Sequence, residues 1–128
     1  MVDKNQQYQI TKIIVAGGRN YNDYKYLRQK LDEVLADLPE DDEIEITSGG
    51  ATGADQMGER FADEYGLKLK VFPADWNKHG RAAGPIRNRN MAEYADCLVA
   101  FEGGRGTQNM IKTAKELGLK VYDFGGEG

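Results

Sequence analysis

The chain has 128 residues, a formal net charge of −4 and 40% hydrophobic residues, which leaves room for one continuous core and too little for a second domain of ordinary size. The acidic balance argues against a nucleic-acid partner, because neutralising phosphates takes a basic face. The single cysteine rules out an internal disulfide and a cysteine-only metal site.

No apolar run approaches the roughly 18 residues of a membrane span. The start MVDKNQQYQI lacks the apolar stretch of a secretory signal, so the expected setting is cytoplasmic with no membrane partner. Residues 1–11 read as a polar lead-in and residues 12–128 as a single domain. The first strand is expected at Lys12–Ala16, a β-branched run that stops at Gly17-Gly18. Asn22 or Asp23 can cap the next helix, which carries Leu27, Leu31, Val34 and Leu35 as its apolar stripe and runs to about Ala36. The second strand, Glu43–Thr47, alternates isoleucines with acidic residues, which suggests one wetter face or an edge position; it ends at Ser48-Gly49-Gly50.

A helix from about Ala54 to Tyr65 buries Met57, Phe61 and Ala62 and stops at Gly66. The third strand is Leu67–Phe72, closed by Pro73. The segment from Pro73 to Pro85 has little periodicity and contains Trp76, His79 and Arg81; an irregular stretch of that length in a compact domain is often functional. Ile86–Ala95 reads as a helix with Ile86, Met91 and Tyr94 inward. The fourth strand, Cys97–Phe101, ends at Gly103-Gly104, and its apolar flanks make Cys97 a core residue. A helix from about Arg105 to Leu117 and a short strand Lys120–Tyr122 complete the chain.

Strands alternate with helical crossovers, so the strands run parallel. Right-handed crossovers give an α/β three-layer Rossmann-like sandwich with a mainly parallel five-stranded sheet, expected in the order 3-2-1-4-5.

Three glycine pairs follow strands directly: Gly17-Gly18, Gly49-Gly50 and Gly103-Gly104. The carboxyl ends of parallel strands share one edge, which is where such sheets bind ligands. Each turn leads into a helix whose first N–H groups are unpaired and attract anions. SGGATGAD thus offers Ser48, Gly49, Gly50, Thr52 and Gly53, and GGRGTQN offers Gly103, Gly104, Gly106 and Thr107. The pattern matches neither GxGxxG nor a Walker loop.

Arg87 is placed in the first turn of its expected helix, where a cation opposes the helix dipole unless an anion compensates; a solvated arginine, or an ion pair to Asp96 or Glu93, is the other reading. Arg19 and Arg105 can each clamp a phosphate through a planar donor fork or stand in solvent. Asp55 can cap its helix or accept from a ribose hydroxyl. Trp76 can stack on a base or anchor its loop. His79 can titrate as an acid or base or be a simple loop residue. One His and one Cys do not make a metal set, and no GxSxG elbow supports acyl transfer.

The segments IVAGGRNYND (14–23), SGGATGAD (48–55), FPADWNKHGRAAGPIRNRNM (72–91) and FEGGRGTQNMI (101–111) together resemble the SLOG superfamily, in its YspA-like, YpsA-related branch. The resemblance implies that 12–128 is a Rossmann-like domain binding a nucleotide or nucleotide-derived small molecule. In that family such domains are proposed as ligand sensors or processing enzymes, often in phage or bacterial conflict systems.

More distantly, the chain is similar to the cytokinin-activating phosphoribohydrolases, the lysine decarboxylase-like proteins. Arg87 four residues before Met91, and Gly103, Gly104, Gly106 and Thr107, match their arginine and PGGxGTxxE pattern. Glu102 replaces their proline and Met110 their catalytic glutamate. A thioether cannot do a carboxylate's proton chemistry, so the hydrolysis does not carry over directly, and Glu102, Asp55 and Asp75 are the acids that can substitute. The superfamily also includes a DNA-binding processing protein, a role that the acidic balance does not support.

The expected function is therefore binding of a nucleotide or nucleotide-derived phosphate ligand as a sensor or accessory domain, with no resident cofactor and no metal. The alternatives are a hydrolase of a nucleotide N-glycosidic or phosphate bond, and a protein-interaction module with a vestigial pocket. Apolar positions on the outer helices are consistent with a homo-oligomer.

Overall fold

The computed structural model describes residues 9–125. Its elements are β1 (Ile10–Ala16), α1 (Tyr24–Ala36), β2 (Glu43–Ser48), α2 (Ala54–Tyr65), β3 (Lys68–Val71), α3 (Trp76–His79), a 3₁₀ turn (Gly80–Ala82), α4 (Ala83–Tyr94), β4 (Cys97–Phe101), α5 (Arg105–Glu116) and β5 (Lys120–Phe124). The five strands are all parallel and lie in the order β3-β2-β1-β4-β5. The α/β Rossmann-like sandwich and its strand order are as the sequence implies.

Alternation along the central strands sorts the core into two halves. Ile13 and Val15 of β1 join Leu27, Leu31 and Val34 of α1 and Phe61 and Ala62 of α2 on one face. Ile14 and Ala16 face the other way, onto Met91 and Ala92 of α4 and Met110, Ile111 and Ala114 of α5. β1 and β4 lie inside the sheet with helices on both sides, so β4 is an unbroken apolar run and β1 is one over its buried part, Ile13 to Ala16. Asp23 caps α1 by accepting from the Tyr26 N–H at 3.1 Å.

Several boundaries differ from the sequence reading. β1 begins at Ile10, so the last two lead-in positions belong to the strand; residues 1–8 of that lead-in lie outside the described residues. β2 is an interior strand rather than an edge, and its acidic residues are held at one end: Glu43 pairs with Lys68 at 3.3 Å, and Tyr94 donates to Glu45 at 2.5 Å. The edge strand on that side is β3, whose four residues are all exposed, and β5 is the edge on the other. Met57 and Leu35 are only partly buried against the core.

The largest departure is at 73–85, which is folded. Asp75 caps α3 through the Lys78 N–H at 3.0 Å, and α4 begins at Ala83, ahead of Pro85. Proline lacks a backbone N–H, which breaks a helix interior but costs little in the first turn, where that donor would have no intrahelical partner. The earlier start rotates the buried stripe onto Ala83, Gly84, Asn88, Met91 and Ala92, leaving Ile86 38% exposed.

Candidate functional site

The carboxyl ends of the strands open into a cleft of about 980 Å³. Gly17, Gly18 and Arg19 after β1, Gly49, Gly50, Thr52 and Asp55 around the start of α2, Arg87 of α4, and Gly104, Gly106 and Thr107 at the start of α5 all line it. Of the residues expected there, Ser48, Gly53 and Gly103 are not on its wall. They shape the loops that are.

The turn after β2 is filled by its own side chains. The buried Ser48 hydroxyl donates to Glu59 Oε2 at 2.7 Å and accepts from the Gly50 N–H at 3.0 Å. Asp55, 7% exposed, accepts from the Ala51 N–H at 3.2 Å, so it ties down the preceding turn; the cap position of α2 itself is Gly53. Gly53 has φ +77° and packs on the carbonyls of Gly18 and Arg19 with no space for a Cβ. The Ala54 N–H donates to Gly18 O at 3.2 Å, which takes up one N-terminal donor of α2.

Arg87 crosses from α4 to this turn. Its Nη1 donates to Gly49 O at 2.5 Å and its Nε to Asn88 Oδ1 at 3.0 Å. It lies one turn inside α4, so the dipole argument for a compensating anion does not apply. The alternative partners are taken elsewhere: Glu93 pairs with Arg89 at 3.4 Å, and Asp96 accepts from the Lys12 N–H at 2.8 Å. Burial pulls the Arg87 guanidinium below its ordinary value, opposed by Asp55. Burial likewise pushes the Asp55 carboxyl up to about 6, against the Ala51 N–H and Arg87, which favour its charged form.

The turn after β4 is bare by comparison. Gly103 lies against the Thr107 hydroxyl and the Gly18 nitrogen, which leave no space for a Cβ, and the Gly18 N–H donates to Glu102 O at 2.8 Å. This contact joins the first and last glycine turns. Beyond it, Gly104 is the cap of α5 with no side-chain hydrogen bond, and the first turn has no acidic residue. Side chains at Gly104 and Gly106 would meet nothing within 4 Å. The N–H groups of Arg105, Gly106 and Thr107 have no partner within the helix, and these three residues line the cleft.

Three arginines line the cleft, Arg19, Arg87 and Arg105, against one acid, Asp55. Glu102 lines a neighbouring cavity and Asp75 caps α3, so Asp55 is the substitute acid that the cleft contains. Trp76, half exposed, and Pro85 line its outer wall; His79 does not reach it. Met110 is buried at 1% exposure and lines the cleft. Among the described residues, no group of three or more His, Cys, Asp or Glu could hold a metal ion, and no helix is long and apolar enough to cross a membrane.

Asn88 escaped the sequence reading. It is 5% exposed and donates to Gly106 O at 3.3 Å and Asn109 Oδ1 at 2.9 Å while accepting from Arg87, so it links α4 to the start of α5. Its spacing was the available signal: it stands three residues before Met91, on the same helical face.

Residues 11–79 match the family described as YAcAr, the YspA, cpYpsA-related SLOG family. Gene 61 protein of Mycobacterium phage D29 is 30% identical over 122 residues, covering 89% of this chain and 96% of that protein. The X-ray structure of TM1055 superposes with a TM-score of 0.65 at 22% identity, over 87% of this chain and 72% of that one. DNA processing protein A (DprA) from Streptococcus pneumoniae gives a TM-score of 0.70 at 18% identity, over 93% of this chain and 51% of that one. This chain therefore spans about half of DprA, and at these identities the two structures bear on the fold alone.

Proposed function

The chain belongs to the YspA, cpYpsA-related SLOG family, and from that premise we propose that its cleft binds a nucleotide or nucleotide-derived phosphate ligand, in the role of a sensor or accessory domain. One observation carries the reading. In a chain of net charge −4, a single cleft gathers three arginines against one acid beside the uncapped start of α5. A helix start with free N–H groups and flanking guanidinium groups suits a phosphate, while Trp76 at the outer wall offers a face for a base. The cations sit in a concave site instead of spreading over a face, which favours a small anion over a nucleic-acid strand. The phage relative is in keeping with a setting in phage–host conflict.

Calorimetry against a panel of nucleoside mono- and diphosphates tests this. Saturable binding that Arg105→Ala weakens about tenfold, or about 1.4 kcal/mol, supports it. A panel without binding contradicts it and leaves the protein-interaction module.

Asp55 favours a second reading, hydrolysis of a nucleotide N-glycosidic or phosphate bond. A buried carboxyl pushed up to about 6 is matched to acid–base work near neutrality. Base or phosphate release that Asp55→Asn abolishes would establish it; tight binding without turnover would leave the sensor.

A further inference from the structure

A second cavity, of about 650 Å³, adjoins the cleft. Gly18, Arg19 and Gly104 line both, so they form a ridge between two lobes. The ridge is firm, because the Gly18 N–H is bonded to Glu102 O at 2.8 Å. It lies between the ends of β1 and β4, where the strand order reverses and parallel sheets open a crevice.

The two lobes differ in charge. The second has one arginine, Arg19, against Asp23 and Glu102. Asp23 is occupied at the cap of α1, and Glu102 is exposed. The remaining wall is neutral and hydrogen-bonding, from Asn20, Tyr21 and Asn22, with Tyr26 and Phe124 as aromatic surface. The Tyr21 phenol is pushed up to about 12 by burial, then by Asp23, Tyr26 and Glu102, so it stays neutral. Such a lobe repels a phosphate and suits a polyol, whose hydroxyls donate to a carboxylate and to amide oxygens.

We propose that the ligand straddles the ridge and is a nucleoside diphosphate esterified to a sugar, with its nucleoside in the arginine-lined cleft, its diphosphate over Gly104 and its sugar in the second lobe. This rests on the nucleotide reading of the cleft and adds the second half of the ligand.

The test is calorimetry on the full chain with three matched pairs: ADP and ADP-ribose, UDP and UDP-glucose, GDP and GDP-mannose. In one pair the sugar-bearing member binds about tenfold tighter, and in Glu102→Gln and Tyr26→Ala that ratio falls to about one. Tyr26 is 36% exposed and Glu102 is exposed, so both variants should fold, which their melting curves check. Equal affinities within every pair, or a ratio that survives both substitutions, overturn the two-lobed ligand and leave the nucleotide reading standing. Absence of binding by all six overturns the two-lobed ligand, and absence of binding by the nucleoside monophosphates as well overturns both.

Discussion

The turn after β2 and the turn after β4 share a sheet edge, a glycine pair and a helix that follows, yet they are furnished in opposite ways. In the first, Ser48, Asp55 and the incoming Arg87 satisfy the backbone from within. In the second, Gly104 caps α5 without a side-chain hydrogen bond, the first turn has no acid, and a Cβ at Gly104 or Gly106 would meet nothing within 4 Å. A negative charge is already built into the start of α2 and is missing from the start of α5. The two glycine turns thus differ in backbone as well as furnishing: Gly50 and Gly53 take positive φ in the first, Gly103 and Gly104 do not in the second, and it is the second that the proposed reading gives to the anion.

The largest effect should separate the glycines that pack from those that do not. Gly53→Ala places a Cβ against backbone at φ +77°, and a loss of about 3 kcal/mol is expected in a denaturant melt. Gly106→Ala meets nothing within 4 Å and should leave stability unchanged or raise it by up to about 1 kcal/mol. Equal losses would break the distinction.

Asp55 gives an effect of similar size that depends on pH. Its carboxyl is pushed from 3.8 to about 6 in the folded state, so folding favours the protonated form. That contribution is full below pH 3.8 and is lost as pH rises through about 6. Relative to the native chain, Asp55→Asn should therefore gain stability as pH rises from 4 to 7, by on the order of 3 kcal/mol. A constant difference between the two melting profiles would remove the buried charge from the account.

The arginines sharpen the same contrast with smaller effects. Arg87→Ala removes the donor to Gly49 O and should lower stability by about 1–3 kcal/mol as well as nucleotide affinity. Arg105 is exposed on the cleft wall, so Arg105→Ala should weaken binding about tenfold with no change in melting temperature. If both variants melt alike, Arg87 is not the tie between α4 and the β2 turn.

Much of the fold was legible because its signals are local. The β-branched run of β1, the apolar run of β4 and the glycine pairs that end three strands each state their own role, and helical crossovers between them leave few topologies. The start of α4 was not legible, because Pro85 looks like a boundary until its position in the first turn is known. That error moved Arg87 to a helix terminus and hid Asn88. The site was legible as a place but not as a division of labour. Whether a glycine packs or stands open depends on what a distant loop puts beside it, as Gly18 does for Gly103, and no local pattern carries that.

The central claim is that the anion sits at the start of α5 and not in the turn that opens α2. Titrating the ¹⁵N-labelled chain with AMP and following backbone amide shifts tests it most directly. The largest shifts are predicted at Gly104, Arg105, Gly106 and Thr107, with Gly49, Gly50 and Gly53 nearly still. Dominant shifts at Gly49 to Gly53, with α5 unmoved, would contradict it.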